Sequence, residues 1–149
     1  MKKIFIYYSH TGNGDLVASI LKQKGFEIIE IEPKKDIPTN RFLSILVGGF
    51  LAMRHKRMPL KEIPTIDANY DIYIGTPIWN GSISCPINTI IDSLKEREFS
   101  LICYSGSGKN PKVSVQLKDY KVKKIISLKE PTMYENECKK ILKDQLNLT

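Results

Sequence analysis

The chain has 149 residues, with 23 Lys or Arg and 16 Asp or Glu residues, so its formal charge is +7. Hydrophobic residues make up 42% and charged residues 26%, which is typical of a globular protein and excludes a disordered, collagen-like or coiled-coil chain. The length predicts one domain over residues 1–149. Because no run of about 18 apolar residues occurs and the apolar stretch 4–8 is too short for a signal peptide, we expect a cytoplasmic protein without a transmembrane segment.

The cysteines agree with that compartment. Cys85, Cys103 and Cys138 are odd in number and widely spaced, and no C-x-x-C pair occurs. This pattern predicts buried or inert thiols in a reducing environment, and it signals no metal site.

Segments typical of strands and helices alternate along the chain. Short apolar runs predict five strands, at 3–8, 26–31, 70–75, 100–104 and 121–128. Helical spacing predicts helices at 15–24, 86–94 and 111–120, and a last helix that begins at a capping box of Thr132 and Glu135 and buries Tyr134, Cys138, Ile141 and Leu142. Such alternation predicts an α/β domain with a parallel sheet, helices on both faces, and ligands beyond the carboxyl ends of the strands.

Three predicted loops lie at those carboxyl ends, and the first suits a phosphate. It consists of Ser9, His10, Thr11, Gly12, Asn13 and Gly14. Its glycines permit unusual backbone geometry, its hydroxyls can donate, and the helix that follows offers free amides to an anion. The alternative is a plain tight turn with Asn13 as the helix cap. A dinucleotide fingerprint is only weakly matched, because Val17 stands where the third glycine belongs.

The second and third loops suit a flat ligand. The predicted loop 76–85 begins with Thr76, Pro77, Ile78, Trp79, Asn80 and Gly81, and it holds the only tryptophan. An aromatic side chain at this edge is a candidate platform for a ring, although a packed loop tryptophan is the alternative. The third loop contains Ser105, Gly106, Ser107 and Gly108, whose backbone donors could approach a ring edge. The alternative there is a flexible surface loop. A Walker A reading of 103–110 fails, because cysteine replaces its first glycine and asparagine its Ser or Thr.

Together these residues resemble the flavodoxin family. The family pattern Ser/Thr-x-Thr-Gly-x-Thr is matched at Ser9, Thr11, Gly12 and Asn13. Residues 70–79 resemble its third strand and second flavin loop, and 105–108 resemble its third loop. The resemblance covers the whole chain, with 36–61 less typical. It implies a flavodoxin-like three-layer α/β/α sandwich with a five-stranded parallel sheet of order 2-1-3-4-5. It also implies non-covalently bound FMN, with the phosphate at 9–14, Trp79 against the isoalloxazine and the third loop at the pyrimidine edge.

Two features depart from the family pattern. Gly14 replaces the last hydroxyl residue of the phosphate loop, which removes one donor. The third loop lacks the aromatic that often covers the outer flavin face, and Tyr104 immediately precedes it. These departures would weaken FMN affinity or leave the flavin more open to substrates.

The resemblance implies electron transfer through FMN, and no catalytic triad or carboxylate pair argues for other chemistry. His10 is interpreted as a loop residue, and a carrier is expected more than a stand-alone enzyme. One alternative is an FMN-dependent NAD(P)H or quinone oxidoreductase. The other is a non-redox module that binds a phosphate ligand or a protein, for which Gly14 is the best support.

Positive charge sets the chain apart from typical flavodoxins, which are acidic. It should stabilise a reduced flavin anion and raise the potential of the step that forms it. The lysines of the later chain predict acidic redox partners or phosphate-bearing partners, and the alternative is a solvated surface. No motif for specific nucleic-acid binding accompanies them. They are Lys109, Lys112, Lys118, Lys121, Lys123, Lys124 and Lys129.

The apolar segment 42–53 contains Gly48 and Gly49 and is followed by the basic residues 54–57. It is interpreted as a core helix, broken or in two pieces. The alternatives are a homodimer interface, a flap over the flavin and an anchor on a membrane surface.

Overall fold

A computed structural model describes residues 1–34 and 57–149. Its strands are β1 (Lys2–Tyr7), β2 (Glu27–Glu30), β3 (Tyr70–Trp79), β4 (Ser82–Ile83), β5 (Phe99–Ser105) and β6 (Val122–Lys129). Its helices are α1 (Asn13–Gln23), α2 (Cys85–Leu94), α3 (Val113–Gln116) and α4 (Glu135–Leu146). The predicted segment 42–53 lies outside the described residues.

The sheet has the predicted topology. Its order is β2-β1-β3-β5-β6 and all of these neighbours are parallel. Counted among themselves, the five parallel strands have the order 2-1-3-4-5, so the predicted fold class is confirmed. The short strand β4 pairs antiparallel with the end of β3 and lies off this path.

Helices cover both faces of the sheet. On one face, Phe5 of β1 packs in a cluster with Val17 of α1 and Leu142 of α4. On the other face, Ile6 of β1 packs in a cluster with Ile87 of α2. Because alternate residues of a strand point to opposite faces, the continuous apolar run of β1 serves both layers. Each such fully buried side chain contributes roughly 1.5–3 kcal/mol.

Two sequence predictions of local structure were wrong. Residues 76–85 are not one long loop, because β3 continues to Trp79 and turns through two residues into β4. The predicted capping box is also absent: α4 begins at Glu135 after Tyr134, with no side-chain cap. The hydroxyl and amide of Thr132 instead donate to the side chain of Asn13 in α1.

The helices and the cysteines can also be compared with the predictions. The helix predicted at 111–120 is only the four-residue α3. In α4, Cys138 and Leu142 are buried as predicted, but Ile141 is 37% exposed. All three cysteines are free and buried, which confirms the prediction for the thiols. No helix within the described ranges is long and apolar enough to cross a bilayer.

Candidate functional site

The three predicted loops meet in one cleft at the carboxyl ends of β1, β3 and β5. The cleft has a volume of about 260 Å³. The first loop lines it with His10, Thr11 and Asn13, and the other walls are Pro77, Ile78, Trp79, Tyr104, Ser105, Gly106 and Glu130. A second cavity, of about 490 Å³, adjoins the cleft and shares Ile78, Ser105 and Gly106 with it. Its other lining residues are Asn80, Gly81, Ser107, Lys109, Pro111 and Lys112.

The first loop presents unused backbone donors. Gly12 adopts the left-handed conformation, with φ of 93°, immediately before α1 begins at Asn13. The Gly14 amide donates to the Ser9 hydroxyl at 3.1 Å. The amides of residues 10–13 form no hydrogen bond with any other described residue. Free amides at the start of a helix favour an anion, so the loop fits a phosphate group.

Asn13 is not the helix cap that the alternative reading required. It is the first residue of α1, and its side-chain oxygen accepts hydrogen bonds from the Thr132 amide and hydroxyl, both at 3.1 Å. Its side-chain nitrogen lies 3.5 Å from the Thr11 hydroxyl. Asn13 therefore ties the first loop to the segment that follows β6.

Tyr104 explains the glycine at position 14. Its side chain is buried, and its hydroxyl donates to the Tyr8 carbonyl at the end of β1. A Cβ atom added to Gly14 would lie 2.5 Å from this hydroxyl oxygen. A side chain at position 14 would thus need the space that the tyrosine hydroxyl fills. Sequence reasoning missed this relation, because the orientation of Tyr104 cannot be read from its position beside the third loop.

Trp79 belongs to an aromatic cluster on the rim of the cleft. Its ring meets the rings of Tyr8 and His10 edge-on, with centroids 5.9 and 6.3 Å away. The rings of Tyr8 and His10 stack at 6.5 Å, and the Tyr8 hydroxyl lies 3.4 Å from Nδ1 of His10. His10 is therefore more than a loop spacer, since it connects the first loop to the tryptophan.

The second loop is held as a tight hairpin. Asn80 and Gly81 both have positive φ, of 52° and 77°, as a two-residue turn of the I′ type requires. The Gly81 carbonyl accepts a hydrogen bond from the Lys112 amide at 3.1 Å. The side chain of Thr76 does not reach the cleft, because it is fully buried and hydrogen-bonded to Ser84.

The third loop is folded by its own hydroxyls. The Ser105 hydroxyl accepts from the Gly108 amide at 2.9 Å, and the Ser107 hydroxyl accepts from the Lys109 amide at 3.1 Å. The amides of Gly106 and Ser107 have no hydrogen-bond partner among the described residues. They remain available to a ligand edge.

Glu130 brings a carboxylate that the sequence did not signal. Its amide donates to the Ser105 carbonyl at 2.9 Å, which places it beside the third loop. A Cβ atom on Gly106 would lie 3.2 Å from its carboxylate oxygen. No sequence motif includes Glu130. It could have been assigned to the cleft only from the pairing of β5 with β6, which brings the end of β6 beside the third loop.

Comparison with known proteins supports the fold. No family model matches the chain, and no curated protein matches it. Solved structures do match it. A flavoprotein from Lactobacillus acidophilus NCFM, crystallised in complex with FMN, is 21% identical, with a TM-score of 0.67 over 91% of this chain and 97% of that one. The fold is flavodoxin-like.

Two proteins provisionally assigned as flavoproteins agree with this fold. The one from Bacteroides eggerthii DSM 20697 is 20% identical, with a TM-score of 0.71 over 99% of both chains. The one from Bacteroides uniformis ATCC 8492 is 23% identical, with a TM-score of 0.65 over 93% of this chain and 97% of that one. At these identities the likeness concerns the arrangement of the chain, and the residues of the cleft must supply the argument for function.

Proposed function

We propose that the chain binds FMN non-covalently in the cleft and transfers electrons through it. The observation that carries this proposal is the meeting of the three loops at the carboxyl ends of β1, β3 and β5. In open parallel sheets ligands bind at this edge, where the order of the strands reverses. The similar flavoprotein from Lactobacillus acidophilus, crystallised with FMN, supports the choice of ligand.

The residues present fit the parts of FMN. The phosphate would be held by residues 9–14, whose four unused amides and Thr11 hydroxyl can donate to it. The isoalloxazine would lie against Trp79, and the amides of Gly106 and Ser107 would meet its polar edge. Bound FMN supplies one- and two-electron chemistry, so the chain needs only to bind it, orient it and adjust its reduction potential.

The exposed third loop supports a second candidate, an FMN-dependent oxidoreductase acting on NAD(P)H or a quinone. Gly106 and Ser107 are exposed and carry no side chain that could cover a ring. A small electron donor could therefore reach a flavin held here. Steady-state oxidation of NADH or NADPH with a quinone acceptor separates the two candidates, because a carrier turns over slowly without its partner protein.

Charge should tune the bound flavin. A unit charge 10 Å away in water contributes about 0.4 kcal/mol, so several lysines near the cleft would stabilise a reduced anion. The carboxylate of Glu130 acts in the opposite direction. We expect the net positive charge to raise the potential of the step that forms the anion, as measured by spectroelectrochemical titration. A very low potential for that step would contradict this expectation.

An absorption spectrum of the purified protein, before and after adding FMN, tests the proposal first. Bound flavin bands should survive gel filtration, and FMN should quench the emission of Trp79, the only tryptophan. Riboflavin, which lacks the phosphate, should bind far more weakly. A colourless protein that shows no quenching with FMN would refute the proposal.

Single variants then locate the ligand. Thr11→Ala should weaken FMN binding about tenfold, because a hydrogen bond to a charged group is lost. Trp79→Ala should weaken it by up to about tenfold, from lost ring contact. Thr65→Ala, an exposed position outside the loops, is the matched control and should leave affinity unchanged.

A further inference from the structure

Three lysines surround the third loop and form what we call the lysine rim: Lys109, Lys112 and Lys129. Lys109 and Lys112 line the cavity that adjoins the cleft. Lys129 ends β6, and its Cβ lies 3.1 Å from where a Cβ on Gly108 would be. Two of the lysines thus line the cavity beside the cleft, and the third lies beside Gly108 of the third loop.

The charges of the lysine rim are not compensated within the described part of the chain. None of its three lysines takes part in an ion pair there. At the opposite end of the sheet, by contrast, Lys121 pairs with Glu96 and Lys123 pairs with Asp71. With 23 basic and 16 acidic residues, at least 23 − 16 = 7 basic side chains cannot each have a carboxylate of their own. Part of this excess is thus concentrated where the cleft opens.

The lysine rim is also fixed to the second loop. The Lys112 amide donates to the Gly81 carbonyl, and Pro111 lies 3.1 Å from where a Cβ on Gly81 would be. A cluster of positive charges on a backbone held in this way is suited to docking a protein of opposite charge.

We propose that the lysine rim docks the acidic surface of an electron-transfer partner protein, at the edge where a bound flavin would be reached. The inference rests on the proposed function for the identity of the partner and on the charge distribution for the surface. Nucleic acid fits less well, because strong binders of nucleic acid neutralise about 6–10 phosphates. Three clustered lysines beside the carboxylate of Glu130 provide far fewer contacts.

The test compares two triple variants of equal net charge. In the rim variant Lys109, Lys112 and Lys129 are changed to glutamate. In the control variant three exposed lysines on the helices are changed in the same way, namely Lys22, Lys140 and Lys143. Each change from lysine to glutamate lowers the net charge by 2, so three changes lower it from +7 to +1 in both variants. A plant-type ferredoxin, which is acidic, and cytochrome c, which is basic, serve as the probe proteins.

Binding of labelled ferredoxin is measured by fluorescence anisotropy, and its electron exchange with the FMN-loaded protein by stopped flow. The rim variant should associate about tenfold more slowly at low salt, and the control variant less than twofold more slowly. The difference should shrink in about 0.5 M salt, where charges are screened within a few ångströms. Cytochrome c should not bind the unsubstituted protein more tightly than it binds the rim variant.

Several results would overturn the proposal. If both variants slow equally, net charge alone acts, and if neither slows, the rim is not a docking surface. Tighter binding to polyuridylate RNA than to ferredoxin at the same salt would indicate a nucleic-acid surface instead. The anisotropy measurement needs no flavin. A failure of FMN binding would therefore refute the proposed function while the docking result is still obtained.

Discussion

Replacing Gly14 with alanine tests how closely the first loop packs on Tyr104 of β5. The added Cβ would lie 2.5 Å from the hydroxyl oxygen of Tyr104 and 2.9 Å from both its Cζ and the Cβ of Ser9. Tyr104 cannot move away easily, because it is buried and its hydroxyl is bonded to the Tyr8 carbonyl. The substitution must therefore shift either the tyrosine or the start of α1.

Opposing effects determine the size of the change. Glycine to alanine inside a helix ordinarily stabilises by up to about 1 kcal/mol. Overpacking of a rigid core costs typically 1–3 kcal/mol, and displacing the Tyr104 hydroxyl sacrifices a hydrogen bond of about 1 kcal/mol. The clash dominates, so Gly14→Ala should lower the free energy of unfolding by about 1–3 kcal/mol, measured by urea denaturation.

A double-mutant cycle isolates the contact. Tyr104→Phe alone should cost about 1 kcal/mol, because the Tyr8 carbonyl loses its donor. In the double variant the hydroxyl is gone, so the alanine should cost about 1 kcal/mol less than it does alone. The matched control is Tyr73→Phe, a buried tyrosine whose hydroxyl bonds to Asp71, and it should combine additively with Gly14→Ala. Additivity with Tyr104→Phe, or an undiminished stability of Gly14→Ala, would refute the reasoning.

Further predictions concern pH, the hairpin turn and the thiols. Burial, followed by neighbouring carboxylates, raises the pKa of Glu30, so its contribution to stability is present at low pH and lost as pH rises through that pKa. Glu30→Gln should therefore raise the free energy of unfolding at pH 7 but not at pH 3, as urea titrations at both pH values would show. Gly81→Ala should cost about 1–2 kcal/mol for its positive φ plus the contact with Pro111. Gly25→Ala, with the same sign of φ but open space, isolates the first contribution in thermal denaturation. Burial raises the pKa of Cys103 to about 12, so a disulfide reagent at pH 8 should label this thiol only after unfolding.

The sequence allowed the sheet to be predicted because its strands are local apolar runs. The central strands β1, β3 and β5 are buried on both faces over most of their length, and such strands appear as largely apolar runs. The hairpin was missed for a related reason. Residues 70–79 form one strand that outlasts its apolar run, and Pro77 within it argues for a loop when the sequence is considered alone.

The cleft could be predicted as three loops but not as a network of contacts. Glycines and hydroxyls at strand ends are local signals, whereas the bond from Thr132 to Asn13 joins residues 119 positions apart. The capping-box prediction was wrong because of the same long-range contact. The Thr132 side chain could cap the last helix, as the sequence predicted, or bond to a distant residue. In the structure it bonds to Asn13, and the helix that begins at Glu135 has no side-chain cap.

Pairwise contacts between the loops suggest why such a cleft needs little rearrangement to receive a ligand. The strand ends that precede the first and third loops are joined where Tyr104 bonds to the Tyr8 carbonyl, and the first and second loops are joined where Trp79 meets His10. The second loop is joined to the segment that follows the third where the Lys112 amide bonds to the Gly81 carbonyl. Each loop is therefore tied to both of the others, directly or through the residues that flank it. Ordering of loops is a main cost of binding, so a ring of contacts that orders them in advance leaves more of the interaction free energy for affinity.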